Sequence, residues 1–404
     1  MIVILHELRL DHHCVGIKSA LEAKFPGIPV VLVDAGSVTI WPTAETWADV
    51  LVVPFDGGAL PSNTHLFIQT VLTRKWAAFV LPVAVSAAKA PPAPVDYIKA
   101  LPWENDGFAR CCQRIGARLG LALRSRVHTL FISYRAVDGT GLATQFESFL
   151  KGEGYNVWRD DSKDAFDGET TIPPGDFVQR EIETNLTNAD MVLLLDTPKA
   201  WESSWINLEV GLANGNLIPV LPVLFRRPGE KVLCSRFRAL DTLQRCVDFD
   251  LVGPDAPDHV DPADLQRVLH EMETYLCEIF QRRLRVPHGV ARDFGALQYE
   301  WSQRDRFVYE AVRKSSGRVV VRVFSHCSFF DGIYDPALRA FVQHLRGLDP
   351  RANYALYVYD GTLIPPIQLR EIERSAALAN RAEVILLHHS EVLTVLTSNF
   401  TQRP

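Results

Sequence analysis

The chain has 404 residues, of which 47% are hydrophobic and 22% charged, and its formal net charge is −6. That length predicts two to three domains at ~150 residues each, and the apolar share excludes wholesale disorder. The acidic balance argues against a protein that coats nucleic acid, and no apolar run reaches the ~18–20 residues of a membrane span.

The N-terminus, Met1-Ile2-Val3-Ile4-Leu5, has no basic region or small-residue cleavage site, so no signal peptide is expected. Strands are predicted at Ile2–Leu5, Val30–Val33, Val50–Val53 and Phe79–Val83. Ala90-Pro91-Pro92-Ala93-Pro94 then breaks the pattern, and a helical pattern resumes over Asp106–Leu119. The seven cysteines include the adjacent Cys111-Cys112 and no CxxC pair. That pattern fits neither a disulfide framework nor a zinc site and predicts a reducing, cytoplasmic setting.

A second set of strands is predicted at Thr129–Ser133, Asn156–Trp158, Met191–Leu195, Ile218–Leu224 and Cys246–Phe249. A long helix follows, with Leu265, Leu269, Met272, Leu276 and Ile279 on one stripe, ending at Arg282-Arg283. Pro287 to Gly295 reads as a linker. A third set comprises Val319–Phe324, Ala355–Tyr359 and Val384–Leu387. Continuous apolar runs alternating with helices predict an α/β class with parallel sheets covered on both faces. The expected units are 1–124, 125–286 and 287–404.

The units resemble one another. Ala48 to Val53 matches Ala189 to Leu194, and each is followed by a Leu-Pro-Val, at Leu81-Pro82-Val83 and Leu221-Pro222-Val223. Pro365-Pro366, Glu371-Ile372-Glu373 and Ala382 to Leu387 echo Pro173-Pro174, Glu181-Ile182-Glu183 and Ala189 to Leu194. Landmarks repeated in order predict related modules. Aligned on Leu-Pro-Val, unit one has His65 opposite Trp205 and Gln69 opposite Glu209, while unit three ends about where that helix would begin.

Unit two carries the informative residues. Leu130-Phe131-Ile132-Ser133-Tyr134-Arg135 opens it, and Val157-Trp158-Arg159-Asp160 follows. A polar loop contains Phe166-Asp167-Gly168; then come Ala189-Asp190 before an apolar strand, and Ser203-Ser204-Trp205-Ile206-Asn207-Leu208-Glu209. In this order and spacing, residues 125–286 resemble a TIR (Toll/interleukin-1 receptor) domain, especially the bacterial NAD-consuming kind.

The residue chemistry points the same way. Trp205 and Glu209 lie one helical turn apart, and Ser203 or Ser204 suits a helix N-cap. Ligands of parallel α/β sheets bind at the carboxyl ends of the strands, so Tyr134, Arg135, Asp160, Trp205 and Glu209 are expected to converge. The nicotinamide–ribose bond of NAD breaks through an oxocarbenium-like ribose. Its leaving group is neutral, so one carboxylate suffices to stabilise the developing charge.

The resemblance implies a flavodoxin-like parallel-sheet domain; the repeated landmarks imply that the two smaller α/β modules flanking it are TIR-like folds without catalysis, the alternative for either being another small α/β sensor such as a nucleotide-binding fold. It makes Glu209 the catalytic residue and NAD+ a substrate, with no cofactor and no metal. Phe131, Tyr134, Arg135, Asp160, Phe166, Ser203 and Trp205 are candidate substrate-binding residues, with Arg135 on the pyrophosphate and Phe131 or Tyr134 stacking on a ring. Asp161 to Pro174 matches the mobile loop through which TIR domains pack together. The implied activity is NAD+ glycohydrolysis, giving nicotinamide with ADP-ribose or a cyclic isomer, in antiphage signalling. Self-association and an activating ligand or partner protein are expected; a membrane or nucleic-acid partner is not. The alternatives are a TIR adaptor without turnover and a nucleotide sensor.

The remaining motifs favour bland roles. His12-His13 and His388-His389 have no third metal ligand at suitable spacing. Glu371 and Glu373 read as solvated, and no P-loop or GxGxxG is present.

Overall fold

Among the described residues three five-stranded sheets succeed one another along the chain. They are seen in a computed structural model that describes residues 1–38, 49–73, 78–87, 90–103, 107–121, 129–160, 176–215, 218–226, 237, 240, 245–251, 256–305, 308–313, 317–324, 354–359 and 384–400. The first sheet consists of β1 (Ile2–His6), β2 (Val30–Asp34), β3 (Asp49–Phe55), β4 (Ala78–Ala84) and β5 (Leu101–Pro102), with α1 (Asp11–Lys24), α2 (Ser62–Thr73) and α3 (Gly107–Leu121). The second consists of β6 (Thr129–Ser133), β7 (Asn156–Arg159), β8 (Met191–Asp196), β9 (Val220–Arg226) and β10 (Val247–Asp250). Its helices are α4 (Ala136–Gly152), α5 (Asp176–Asn188), α6 (Ser204–Gly215) and the start of α7 (Pro262–Ala296).

Both sheets are wholly parallel and share one strand order, β2-β1-β3-β4-β5 and β7-β6-β8-β9-β10. That is the flavodoxin-like order of an open α/β sheet. The likeness extends to register: Val53 pairs with Pro82 in the first sheet and Leu194 with Pro222 in the second. Proline survives in these central strands at matching places in both.

The pleat sorts the second sheet's side chains into two core layers. Leu130, Ile132, Tyr134, Met191, Leu193 and Leu195 meet α4 and α7. Phe131, Val192, Leu194 and Val220 meet α5 and α6 through Ile182, Leu186, Ile206 and Val210. An alternation of this kind exists only because both faces of the sheet are covered.

The third sheet contains β11 (Glu300–Asp305), β12 (Val308–Arg313), β13 (Gly317–Phe324), β14 (Tyr354–Tyr359) and β15 (Val384–His388), in that spatial order. β11, β12 and β13 are antiparallel, and β13, β14 and β15 are parallel. The mixed sheet corrects the expectation of parallel strands throughout, and its order differs from that of the other two. Two compact units result, Met1–Asn214 with Ile218–Phe280, and Gly215–Leu217 with Gln281–Pro404. The second unit has its own core of Val286, Val290, Phe294, Tyr299, Ala311, Val358, Val392 and Leu396, the last two from α8 (Val392–Phe400).

Residues 287–295, expected as a linker, lie within α7 in spite of Pro287. His12 and His13 fall in α1. Among the described residues no His/Cys/Asp/Glu group could hold a metal ion, and no helix is long and apolar enough to cross a membrane. Pro365-Pro366 and Glu371–Glu373 lie outside the described residues.

Candidate active site

At the carboxyl end of β6 a polar side chain interrupts an apolar strand. Ser133 shares its side of the pleat with Phe131 and therefore faces α6 rather than α4. There its hydroxyl donates to Glu209 Oε2 at 2.5 Å, and both residues are buried, Glu209 with 1% exposure. A carboxylate taken from water needs such partners. In this low-dielectric setting its field on a nearby cation is stronger than in water.

Helix α6 presents this carboxylate. Ser203 has extended backbone (φ −77°, ψ 118°), and its Oγ accepts the Ile206 amide at 3.4 Å, the capping role that its position before the helix predicts. Trp205, one residue into α6, is 48% exposed, while Glu209 one turn later is buried. The pair thus spans from the surface to the interior. Arg135, which precedes α4, lies 3.5 Å from Glu202 through Nη1, and its side chain is 22% exposed.

Several predicted residues occupy the core. Phe131 stacks on Trp158 with ring centroids 4.9 Å apart. Tyr134 is fully buried in the layer against α4 and α7, across the sheet from Glu209. Its hydroxyl donates to the Asp160 carbonyl at 2.8 Å and accepts from Arg159 Nη1 at 3.3 Å. Tyr134 and Asp160 are therefore brought together, Asp160 contributing its backbone. Arg159 also pairs with Glu147, which binds Lys151 at 2.5 Å. Burial pushes the Glu147 carboxyl up, but the hydrogen bonds from Lys151 and Arg159 outweigh it, so it lies below its usual range. Phe166 and the loop Asp161 to Pro174 lie outside the described residues.

Ser133 is absent from the sequence candidates. Period-2 alternation carries the signal, because a serine two places after an apolar residue that faces α6 must itself face α6.

The first sheet gives a contrast at matching positions. Helices α2 and α6 are both 12 residues long. Thr64, Phe67, Ile68 and Val71 are buried in α2 where Ile206, Glu209, Val210 and Ala213 are buried in α6. Phe67, not Gln69, therefore stands in the place of Glu209, and Asn63, not His65, in that of Trp205. The Leu-Pro-Val alignment slips because the chain from helix to strand is longer in the first module, Thr73 to Pro82 against Gly215 to Pro222. Ser133 likewise has Leu5 as its counterpart, each following an isoleucine that pairs with the third strand. Both members of the polar pair are apolar there.

The first module's own strand ends are closed by internal bonds. Arg9 bridges Glu7 and Asp56 at 2.6 and 2.8 Å. A Cβ on Gly58 would lie 2.0 Å from Arg9 Nη1.

The arrangement around α6 offers one oriented, buried carboxylate, an aromatic at the surface above it in the helix, and a cation on the neighbouring loop. That set can stabilise positive charge developing on a bound sugar. No curated protein matches the chain. Residues 130–260 match the family model of the TIR domain.

Proposed function

Residues 130–260 are a TIR domain, and on that premise we propose that the chain is an NAD+ glycohydrolase that splits the nicotinamide–ribose bond. The observation that carries the reading is the buried Glu209 with Ser133 donating to it at the carboxyl end of β6. Adapting a non-catalytic interaction module would not require a carboxylate at this position, and the first module has Phe67 there.

In the proposed reaction the bond from the ribose carbon to the nicotinamide nitrogen breaks and its electron pair leaves with nicotinamide. The ribose becomes oxocarbenium-like. Glu209 stabilises that charge, an interaction stronger in the transition state than in the ground state. Trp205 walls the ribose or base. Arg135 exchanges its contact with Glu202 for the pyrophosphate. Water completes hydrolysis to ADP-ribose, or an atom of the adenine completes cyclisation. Tyr134 and Asp160 hold the rim through their mutual hydrogen bond, and Ser203 fixes the start of α6. A role in antiphage signalling, with self-association and an activating ligand or partner, completes the reading.

A second reading has its own observation. Val137, Trp201, Trp205 and Leu208 are exposed apolar side chains on and before α4 and α6, as suits a face that docks protein. It describes an adaptor acting by TIR–TIR association. Product analysis separates the two. Purified protein incubated with NAD+, with and without candidate activators, is followed by chromatography for the wild type and Glu209→Ala. Nicotinamide from the wild type alone supports the enzyme. Its absence from both under all conditions leaves the adaptor.

A further inference from the structure

Helix α3 belongs by sequence to the first module, yet its side chains complete the core of the second. Ala117 and Leu121 are fully buried in the cluster that contains Leu130, Phe146, Met272 and Leu276. The approach to α7 is close enough to require glycine. A Cβ on Gly116 would lie 2.4 Å from Cys277 Sγ, and one on Gly120 would lie 3.0 Å from the Leu276 carbonyl oxygen. Two glycines four apart present one bare stripe of α3 to α7.

Polar groups surround this seam. Arg114 pairs with Glu273 of α7 and donates to Glu153 Oε2 at 3.1 Å. Arg118 donates to the carbonyls of Glu153 and Gly154 at 2.9 and 2.7 Å, and its guanidinium lies 3.6 Å from the Tyr155 ring centroid. Tyr155 in turn donates to Glu273 Oε1 at 2.6 Å. Gly154 has φ +82°, so the turn that Arg118 grips is one that favours glycine. That turn leads directly into β7, whose far end carries Arg159 and Asp160 beside Tyr134.

We propose that the α3–α7 seam is a permanent intramolecular interface, through which the first module is the fixed partner of the TIR domain. Domains of one chain that move against each other meet through modest, polar surfaces. Here separation would open a continuous apolar core to water. The first module therefore stays docked in any active state, holds the entry to β7, and keeps this face of α7 covered. This does not depend on the NAD+ reading.

The test uses the full wild-type chain and reads Cys277, which is buried in the seam. Cys277 should resist alkylation until the whole of residues 1–280 unfolds, becoming reactive in the same range of urea concentration in which β3 and β8 lose hydrogen-exchange protection. Alkylation of native protein at a rate like that of a surface thiol, or at a urea concentration at which β8 is still protected, would overturn the proposal. Gly116→Val, whose side chain has no room against Cys277, supplies a second measurement: it should lower the urea midpoints of β3 and β8 together, and an unchanged midpoint for β8 would equally overturn the proposal.

Discussion

Glu209 and Ser133 show how one residue pair separates two modules of the same strand order. In the second module a hydroxyl donates to a carboxylate at 2.5 Å in the interior; in the first, Leu5 and Phe67 fill the corresponding places. Removing one member of a buried polar pair takes a hydrogen bond from the other, whereas replacing both by apolar groups costs less. Ser133→Ala should therefore lower stability by about 1–3 kcal/mol in urea melts. The double variant combining Ser133→Leu with Glu209→Leu should cost less than that single change, and a larger loss in the double would contradict the pairing. At the same scale, Arg135→Met should raise KM for NAD+ with a smaller effect on kcat, measured by initial rates of nicotinamide release. Unchanged KM would remove the pyrophosphate role. Glu209 and Trp205 were legible in the sequence because their types and spacing are visible there. Ser133 was not, since its meaning depends on which side of the pleat meets α6. Phe131 and Tyr134 look like ligands for stacking in the sequence, but the pleat turns both rings into the core.

Among the elements, α4 and the turn into β7 carry a titratable brace. The Glu153 carboxyl is pushed up by burial but pulled further down by Lys99, Arg114 and Gln266, so its net shift is downward. Glu147 is lowered in the same way. A carboxylate lowered on folding stabilises the protein above its unfolded value, near 4.5, and that stability is lost as pH falls through the folded value. Chemical denaturation should show little change from pH 7 to about 5 and a steep loss below about 4.5. Glu153→Gln should flatten the acid limb; an unaltered limb would assign it elsewhere. The strands of the first two sheets other than β5 were legible because they are short apolar runs between helical patterns; β5, only Leu101-Pro102, has no such run. Strands β11 and β12 were not, because Glu300-Trp301-Ser302-Gln303-Arg304-Asp305 and Val308-Tyr309-Glu310-Ala311-Val312-Arg313 mix charge into their pattern. The helix through Pro287 is hidden in the sequence, since proline usually ends a helix.

Across the whole molecule, two modules of one topology form a single compact unit over Met1–Asn214 and Ile218–Phe280. The composition break at Ala90 to Pro94 suggests separation, but contacts between α3 and α7 are tertiary and leave no local mark beyond Gly116 and Gly120. Unfolding in rising urea, followed by hydrogen exchange, should release β3 and β8 at the same concentration, as one cooperative unit. Earlier release of β3 would show that the first module unfolds alone.

Chemistry at Glu209 is read most directly from the rate of nicotinamide release from NAD+ by the full chain and by Glu209→Gln under one activating condition. An amide keeps the shape and removes the charge, so a fall of ~100-fold or more is expected with the fold intact by circular dichroism. Nicotinamide release by Glu209→Gln at the wild-type rate would contradict that expectation.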